Sequence, residues 1–133
     1  MVKWKKIKIK ELVEKTKTED PKSSPNSEFS YIDISSINRD KRKIVEPKQL
    51  KGSEAPSRAK KSELSGDVLF ATTRPNLQNI AIVDSNSKKQ IASTGFCVLR
   101  GKNDLIENRF LFNFLFTDEV QELIAPLIRG AQY

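Results

Sequence analysis

Ser65-Gly66-Asp67-Val68-Leu69-Phe70-Ala71-Thr72-Thr73-Arg74-Pro75-Asn76 is the stretch on which the fold class turns. Ser65-Gly66-Asp67 is a turn signal, and the four apolar residues after it make a run of strand length. A loop returns at Thr72, where Pro75 pushes Arg74 out of the helical region into extended backbone and Asn76 suits a turn. The same punctuation recurs outward. Ile80-Ala81-Ile82-Val83 is a further strand, Asp84-Ser85-Asn86-Ser87 a turn, and Gln90 to Ser93 and Phe96 to Arg100 are two extended pieces about Gly95. The middle of the chain is therefore a β unit.

Upstream, Phe29, Tyr31, Ile32 and Ile34 form a compact β-favouring run that turns out through Ser35-Ser36-Ile37-Asn38. Ile7-Lys8-Ile9-Lys10 alternates as a half-buried strand does, and Glu11 to Lys15 can add a helical turn. Thr16 to Ser27 loses all periodicity and collects Lys, Thr, Glu, Asp, Pro and Ser, a composition read as a solvent loop. Downstream of Leu105 the period becomes helical. Phe110, Leu111, Phe114 and Leu115 share one face, and Val120, Leu123, Ile124, Leu127 and Ile128 the next, with Thr117 or Asp118 as cap and Gly130 as stop. Strands first and helices last make an α+β chain, with the aromatic face packed on the sheet.

The 133 residues suit one domain spanning 1–133, and 37% hydrophobic residues with seven Phe supply a core. The formal charge of +7 is uneven. Residues 1–74 hold 18 of the 24 Lys and Arg against 11 of the 17 acids, whereas residues 75–133 hold six of each. A one-sided positive field suits an anionic partner such as nucleic acid. It is concentrated between Arg39 and Lys61, where nine basic residues face three acids, and the plainer reading of that run is a solvated polar loop.

Several chemistries are disfavoured by what the chain lacks. Histidine is absent, which removes the commonest general base and the commonest metal ligand. Cys97, the one cysteine, lies within Phe96-Cys97-Val98-Leu99 and reads as a small buried hydrophobe, so no disulfide within the chain and no metal cluster is expected. The five glycines are too scattered to cradle a phosphate, so no nucleotide or methyl-donor cofactor is expected. No segment has the length needed to span a membrane, and the cytoplasm is the natural compartment. Asp33 with Glu46-Pro47-Lys48 has the residue types of a metal-dependent nuclease, but Pro47 breaks the strand that would present Glu46 and Lys48 on one edge.

What remains suits DNA. Arg39, Arg42, Lys43, Arg58, Lys60, Lys61 and Arg74 are candidate phosphate or guanine partners, and Asn38, Asn76, Gln78 and Asn79 candidate adenine partners. Phosphate needs only positive charge, whereas base reading needs a planar fork or an amide. Their placement beside turns lets a rigid β unit project them into a groove.

Four ordered blocks carry a resemblance: Tyr31-Ile32-Asp33-Ile34-Ser35-Ser36-Ile37-Asn38, Ala55-Pro56-Ser57-Arg58-Ala59-Lys60-Lys61, Gly66 to Asn76, and Ala92-Ser93-Thr94-Gly95-Phe96-Cys97-Val98-Leu99-Arg100. Together with the ending Gly130-Ala131-Gln132-Tyr133, they resemble the target recognition domain of type I restriction-modification specificity subunits. The resemblance implies a β-rich twisted body followed by a C-terminal helical hairpin, which reads one half of a split DNA target. It implies no catalysis in this chain: methyltransferase subunits using S-adenosylmethionine modify adenine, and a restriction subunit cleaves. Members of the family continue past the position of Tyr133 into a long docking helix, so a truncated or half specificity subunit is the expectation. Two other readings stand beside it, a basic module that binds protein or RNA and a small nuclease on Asp33 and Glu46.

Overall fold

Val68–Ala71 is apolar at every position because its strand is covered on both faces. The computed structural model describes residues 9–84 and 89–122, without the Lys10 side chain. In chain order the strands are β1 (Glu28–Ile32), β2 (Ile37–Asn38), β3 (Lys43–Ile44), β4 (Lys48–Lys51), β5 (Ala59–Glu63), β6 (Val68–Ala71), β7 (Ile80–Ile82), β8 (Gln90–Ser93) and β9 (Phe96–Leu99). Helix α1 (Ile9–Leu12) precedes them and α2 (Asn108–Phe114) follows. β6 is the middle strand of an antiparallel sheet ordered β7-β6-β9. Side chains alternate along it. Leu69 and Ala71 pack with Ile32, Ala92, Phe96 and Val98, toward the larger sheet, whereas Val68 packs with Leu111, Phe112 and Leu115, toward the helices. Burying each large side chain there contributes about 1.5–3 kcal/mol.

The larger sheet is mixed and ordered β4-β1-β8-β5. β1 runs antiparallel to β4 and parallel to β8, and β8 runs antiparallel to β5. Its other face buries Phe29, Tyr31, Ala59 and Ile91 beneath Ala55. The layers are therefore a loop cover, the mixed sheet, the β7-β6-β9 sheet and the helices, an α+β order. A short β2–β3 hairpin sits beside β7.

Several sequence expectations need correction. Ile9–Leu12 is helical where Ile9 and Lys10 were expected in a strand; Ile9 and Val13, one helical turn apart, both pack on the helix-side core. Ile7 and Lys8 lie outside the described residues. The polar stretch after Thr16 is a built cover, with Glu19 N bonded to Lys60 O at 2.8 Å and Ser62 N to Lys17 O at 3.0 Å along the β5 edge. Pro21 is buried, and Gly52 lies so close beneath this cover that a Cβ there would overlap the carbonyl oxygens of Pro21 and Ser24. The run from Arg39 to Lys61 holds β3, β4 and the start of β5 rather than one loop, and β4 begins just after Pro47. Ile34 sits in a 3₁₀ turn, Ile34–Ser36, that ends β1.

On α2 the buried face is Leu111, Phe112 and Leu115, while Phe110 is 63% exposed and stacks on Phe114 at 6.5 Å. At about 100° per residue, Phe110 lies roughly 145° from the centre of the buried face. The expected face was thus rotated by one residue. Backbone at 118–122 is helical again, with Gln121 N bonded to the Thr117 carbonyl at 3.1 Å, which puts Thr117 at the start as expected. Its hydroxyl donates back to Phe114 O at 2.7 Å. Leu123, Ile124, Leu127, Ile128 and Gly130 lie outside the described residues. Cys97 is half-buried in the helix-side cluster, and burial pushes its thiol up from the ordinary value.

Candidate nucleic-acid interface

Ala71 N bonds Asn79 O at 3.1 Å, so β6 and β7 pair on both sides of residues 72–78 and the chain must reverse within that loop. Arg74 makes the reversal in a left-handed conformation, φ 49° and ψ 60°, and not extended as the following proline led us to expect. Pro75 disfavours the right-handed helical basin for its predecessor, and the 3₁₀ turn Pro75–Leu77, closed by Leu77 N to Arg74 O at 3.0 Å, selects the left-handed one. Gln78 leaves the loop at φ 56°. Arg42, Arg74 and Gln78 are the non-glycine residues at positive φ among those described, and all three belong to the polar set singled out from sequence. Such conformations persist where surroundings over-determine them and collect at functional sites.

Residues 72–78 are held as part of a rim. The Thr72 N–H and hydroxyl both donate to Gly95 O, at 2.8 and 3.0 Å. Thr94 N bonds Arg58 O at 2.9 Å, and Arg58 Nε donates to Thr94 Oγ1 at 3.4 Å. Arg58, the Thr94-Gly95 turn and the Arg74–Gln78 loop thus form one tied edge, with Arg58, Arg74 and Asn76 exposed. Asn79 is buried, at 8% exposure, and cannot present its amide to a groove from there.

A groove of about 420 Å³ adjoins Arg58, lined among others by Tyr31, Asp33, Lys48 and Ser93. Lys48 Nζ lies 3.5 Å from the Asp33 carboxylate, which also accepts from the Ser35 hydroxyl. Partial burial pushes the Asp33 carboxyl up, but the Ser35 hydroxyl and Lys48 outweigh it and hold the group below its ordinary value. Glu46 does not line this groove, and among the described residues no three His, Cys, Asp or Glu side chains converge to hold a metal. The nuclease reading on Asp33 and Glu46 finds no support in this arrangement.

The remaining candidates stand elsewhere. Asn38, Arg39, Arg42 and Lys43 belong to the β2–β3 hairpin, where the Asn38 side-chain oxygen accepts from Lys41 N at 2.9 Å and caps the turn. The Arg42 guanidinium lies 3.8 Å over the Phe116 ring. Lys60 and Lys61 sit on β5, at a register shift between Ala59 and Lys61. Lys60 pairs with Asp20 at 3.2 Å, and Lys89 pairs with Glu19 nearby in the cover. Asp20 is held below its ordinary value first by the Lys22 N–H and then by Lys60. The candidates therefore divide into a loop rim, a hairpin and an edge strand whose charge is partly met by carboxylates. Sequence reasoning missed Thr72, Thr94 and Phe116, whose roles come from residues far along the chain.

The match of the type I restriction modification DNA specificity domain to residues 1–132 places the chain in that family. Its fold is that of solved specificity subunits. It is 45% identical to the HsdS subunit from Thermoanaerobacter tengcongensis, with a TM-score of 0.84 over 87% of this chain and 30% of that one. A structure described as showing complex assembly and conformational transition of the type I R-M system matches at 44% identity and a TM-score of 0.88, covering 96% of this chain and 33% of that one. The Type I restriction enzyme HindI specificity subunit of Haemophilus influenzae is 26% identical over 97 residues, which is 73% of this chain and 18% of the relative. The chain thus spans a third or less of the length of these proteins. The resemblance read from the four sequence blocks is borne out, as is the α+β class.

Proposed function

We propose that this domain reads one half of a bipartite DNA target and directs methyltransferase and restriction subunits that carry the chemistry, acting in the cytoplasm. The observation that carries the reading is the loop rim. Arg74 and Asn76 place a planar fork and an amide together on a loop fixed by left-handed backbone and by Thr72, while Arg58 stands beside them on the same tied edge. Base readout needs this combination, because a fork or amide recognises a base edge only if its root is held still. The exposed hairpin cations Arg39 and Lys43 supply the sequence-independent attraction to phosphate. Membership in a DNA specificity family supports the same reading over a basic module for protein or RNA.

The test is selection of bound sequences from a pool of random duplexes by the purified chain, followed by titration against salt. Enrichment of one short motif, with affinity falling steeply as salt rises, is the expected result. Equal retention of all duplexes, or preference for RNA of matched length, would remove the proposal. The purified chain is also expected to transfer no methyl group and cut no duplex without partner subunits.

A further inference from the structure

Four of the five residues 39–43 are basic, yet they are not equivalent. Arg39, Lys41 and Arg42 are all exposed at the tip of the β2–β3 hairpin, but Arg42 alone of them is placed against a ring: its guanidinium carbon lies 3.8 Å from the Phe116 ring centroid. Phe116 meets Phe112 edge-on, at 5.1 Å and 81°, and Phe112 belongs to the core cluster with Leu111, Leu115 and Val120. A continuous stack therefore runs from the hairpin into the helical layer. Arg42 holds φ 54°, a conformation that a side chain larger than glycine keeps only where its surroundings fix it. The hairpin needs such a fix. Its ladder consists of two residue pairs, Ile37 with Ile44 and Asn38 with Lys43, too short a ribbon to hold its own tip.

We propose that Arg42 is a positioning residue that anchors the hairpin to the helical layer through Phe116, so that Arg39 and Lys41 are presented to the duplex. The proposal rests on the DNA-reading function above for its consequence, but not for its geometry. A guanidinium this close to a ring centroid is attracted to the ring's negative face, and the half-buried Phe116 shields one side of that contact from water. Charge at position 42 then serves the fold of the hairpin, and the neighbouring cations serve the ligand.

The experiment compares Arg42→Ala, Arg42→Lys, Phe116→Leu and the Arg42→Ala/Phe116→Leu double variant of the full chain. The probes are a duplex recovered by selection and a scrambled duplex of the same length. Amide exchange at Lys41 and Val45, whose N–H groups bond Asn38 and Ser36, reads hairpin order without DNA. Each single variant is expected to speed exchange at both amides and to weaken the selected duplex by about threefold to tenfold. The double variant should be no worse than Arg42→Ala, since both changes break one contact. The salt dependence should flatten alike in Arg42→Ala and Phe116→Leu, because both release the same hairpin cations from the duplex. A salt slope reduced by about one unit in Arg42→Ala, with Phe116→Leu and Arg42→Lys behaving as the parent, would make Arg42 a phosphate contact and overturn the proposal. Unchanged amide exchange in the single variants, or additive losses in the double, would overturn it as well. Failure of the parent chain to prefer any duplex would count against the DNA-reading function, and the exchange measurement would still decide the anchoring.

Discussion

Arg100 donates from Nε and Nη2 to the two carboxylate oxygens of Asp67, at 2.8 and 2.7 Å, and Asp67 is only 1% exposed. The same carboxylate accepts from Leu64 N at 2.8 Å, so it joins the start of β6 to the end of β9 and closes the preceding turn. The partners are unequal, because the Arg100 side chain keeps 23% of its surface in water. Arg100→Ala should cost about 3–5 kcal/mol by stranding a buried anion. Asp67→Asn should cost about 1–3 kcal/mol, since the amide oxygen can still accept and the arginine can turn to solvent. Urea unfolding of both variants checks this, and a larger loss for Asp67→Asn would contradict the asymmetry.

Glu63 should make the domain less stable as pH rises. It is 5% exposed, neither carboxyl oxygen has a hydrogen-bond partner among the described residues, and burial, followed by the charge of Asp67, pushes its pKa from 4.5 to about 8. Below the unfolded value the group is neutral in both states and adds no pH dependence. Between that value and about 8 the unfolded chain releases the proton and the folded chain keeps it, so stability falls with a limiting slope of about 1.4 kcal/mol per pH unit. Above that window the loss is complete. Melting temperatures of the parent and of Glu63→Gln across this range should diverge as pH rises, with the variant the flatter of the two.

Asn108 pins the start of α2 to two turns, accepting from Gly101 N at 2.6 Å and donating to Gly66 O at 2.7 Å. Asn108→Ala should destabilise by about 1–3 kcal/mol, because it leaves part-buried backbone groups without partners. Asn108→Asp keeps the acceptor for Gly101 N but sets a carboxylate oxygen against Gly66 O, so its loss in chemical denaturation should be no smaller than that of the alanine variant. Equal stability of Asn108→Ala and the parent would show that water replaces both bonds.

Arg74→Ala should lower affinity for the selected duplex by about 1–3 kcal/mol and change random-duplex binding much less. Arg74 is not expected to fold back onto Asp67 instead, because Arg100 occupies that carboxylate. Lys60→Ala should have a smaller effect than Lys61→Ala, since Asp20 already meets the Lys60 charge. Fluorescence titrations at two salt concentrations separate these outcomes. A drop in melting temperature for Arg74→Ala with an unchanged ratio of selected to random affinity would place the reading residues elsewhere.

The strands around Val68, Ile80, Gln90 and Phe96 were legible because apolar runs bounded by turn residues carry their own signal. The pairing of β1 with β8 was not, since nothing in a local pattern specifies a parallel partner some 60 residues away. Polar β-structure hid in the same way: β4 reads Lys48-Gln49-Leu50-Lys51 and forms because β1 offers it an edge. Phe110 was misplaced because four aromatic and aliphatic residues in five positions fit two helical faces. In the candidate site, residue types were legible but their burial and ties were not. Asn79 and Asn76 look alike in sequence, and only β-pairing at Ala71 decides that Asn79 turns inward.

The parallel register of Ser30 with Gln90, Tyr31 with Ile91 and Ile32 with Ala92 also orders events in time. The β1–β4 ribbon is complete once residue 51 has been made, but its second edge has no mate until residues 90–92 leave the ribosome. At about 5–20 residues per second, that edge waits roughly 2–8 s during synthesis. Closing the intervening span is the slow, non-local step, whereas the β6–β7 hairpin forms from neighbouring residues without waiting for it. The half-made domain thus carries an open β edge, Glu28–Ile32, just when it is most exposed to pairing with another nascent chain.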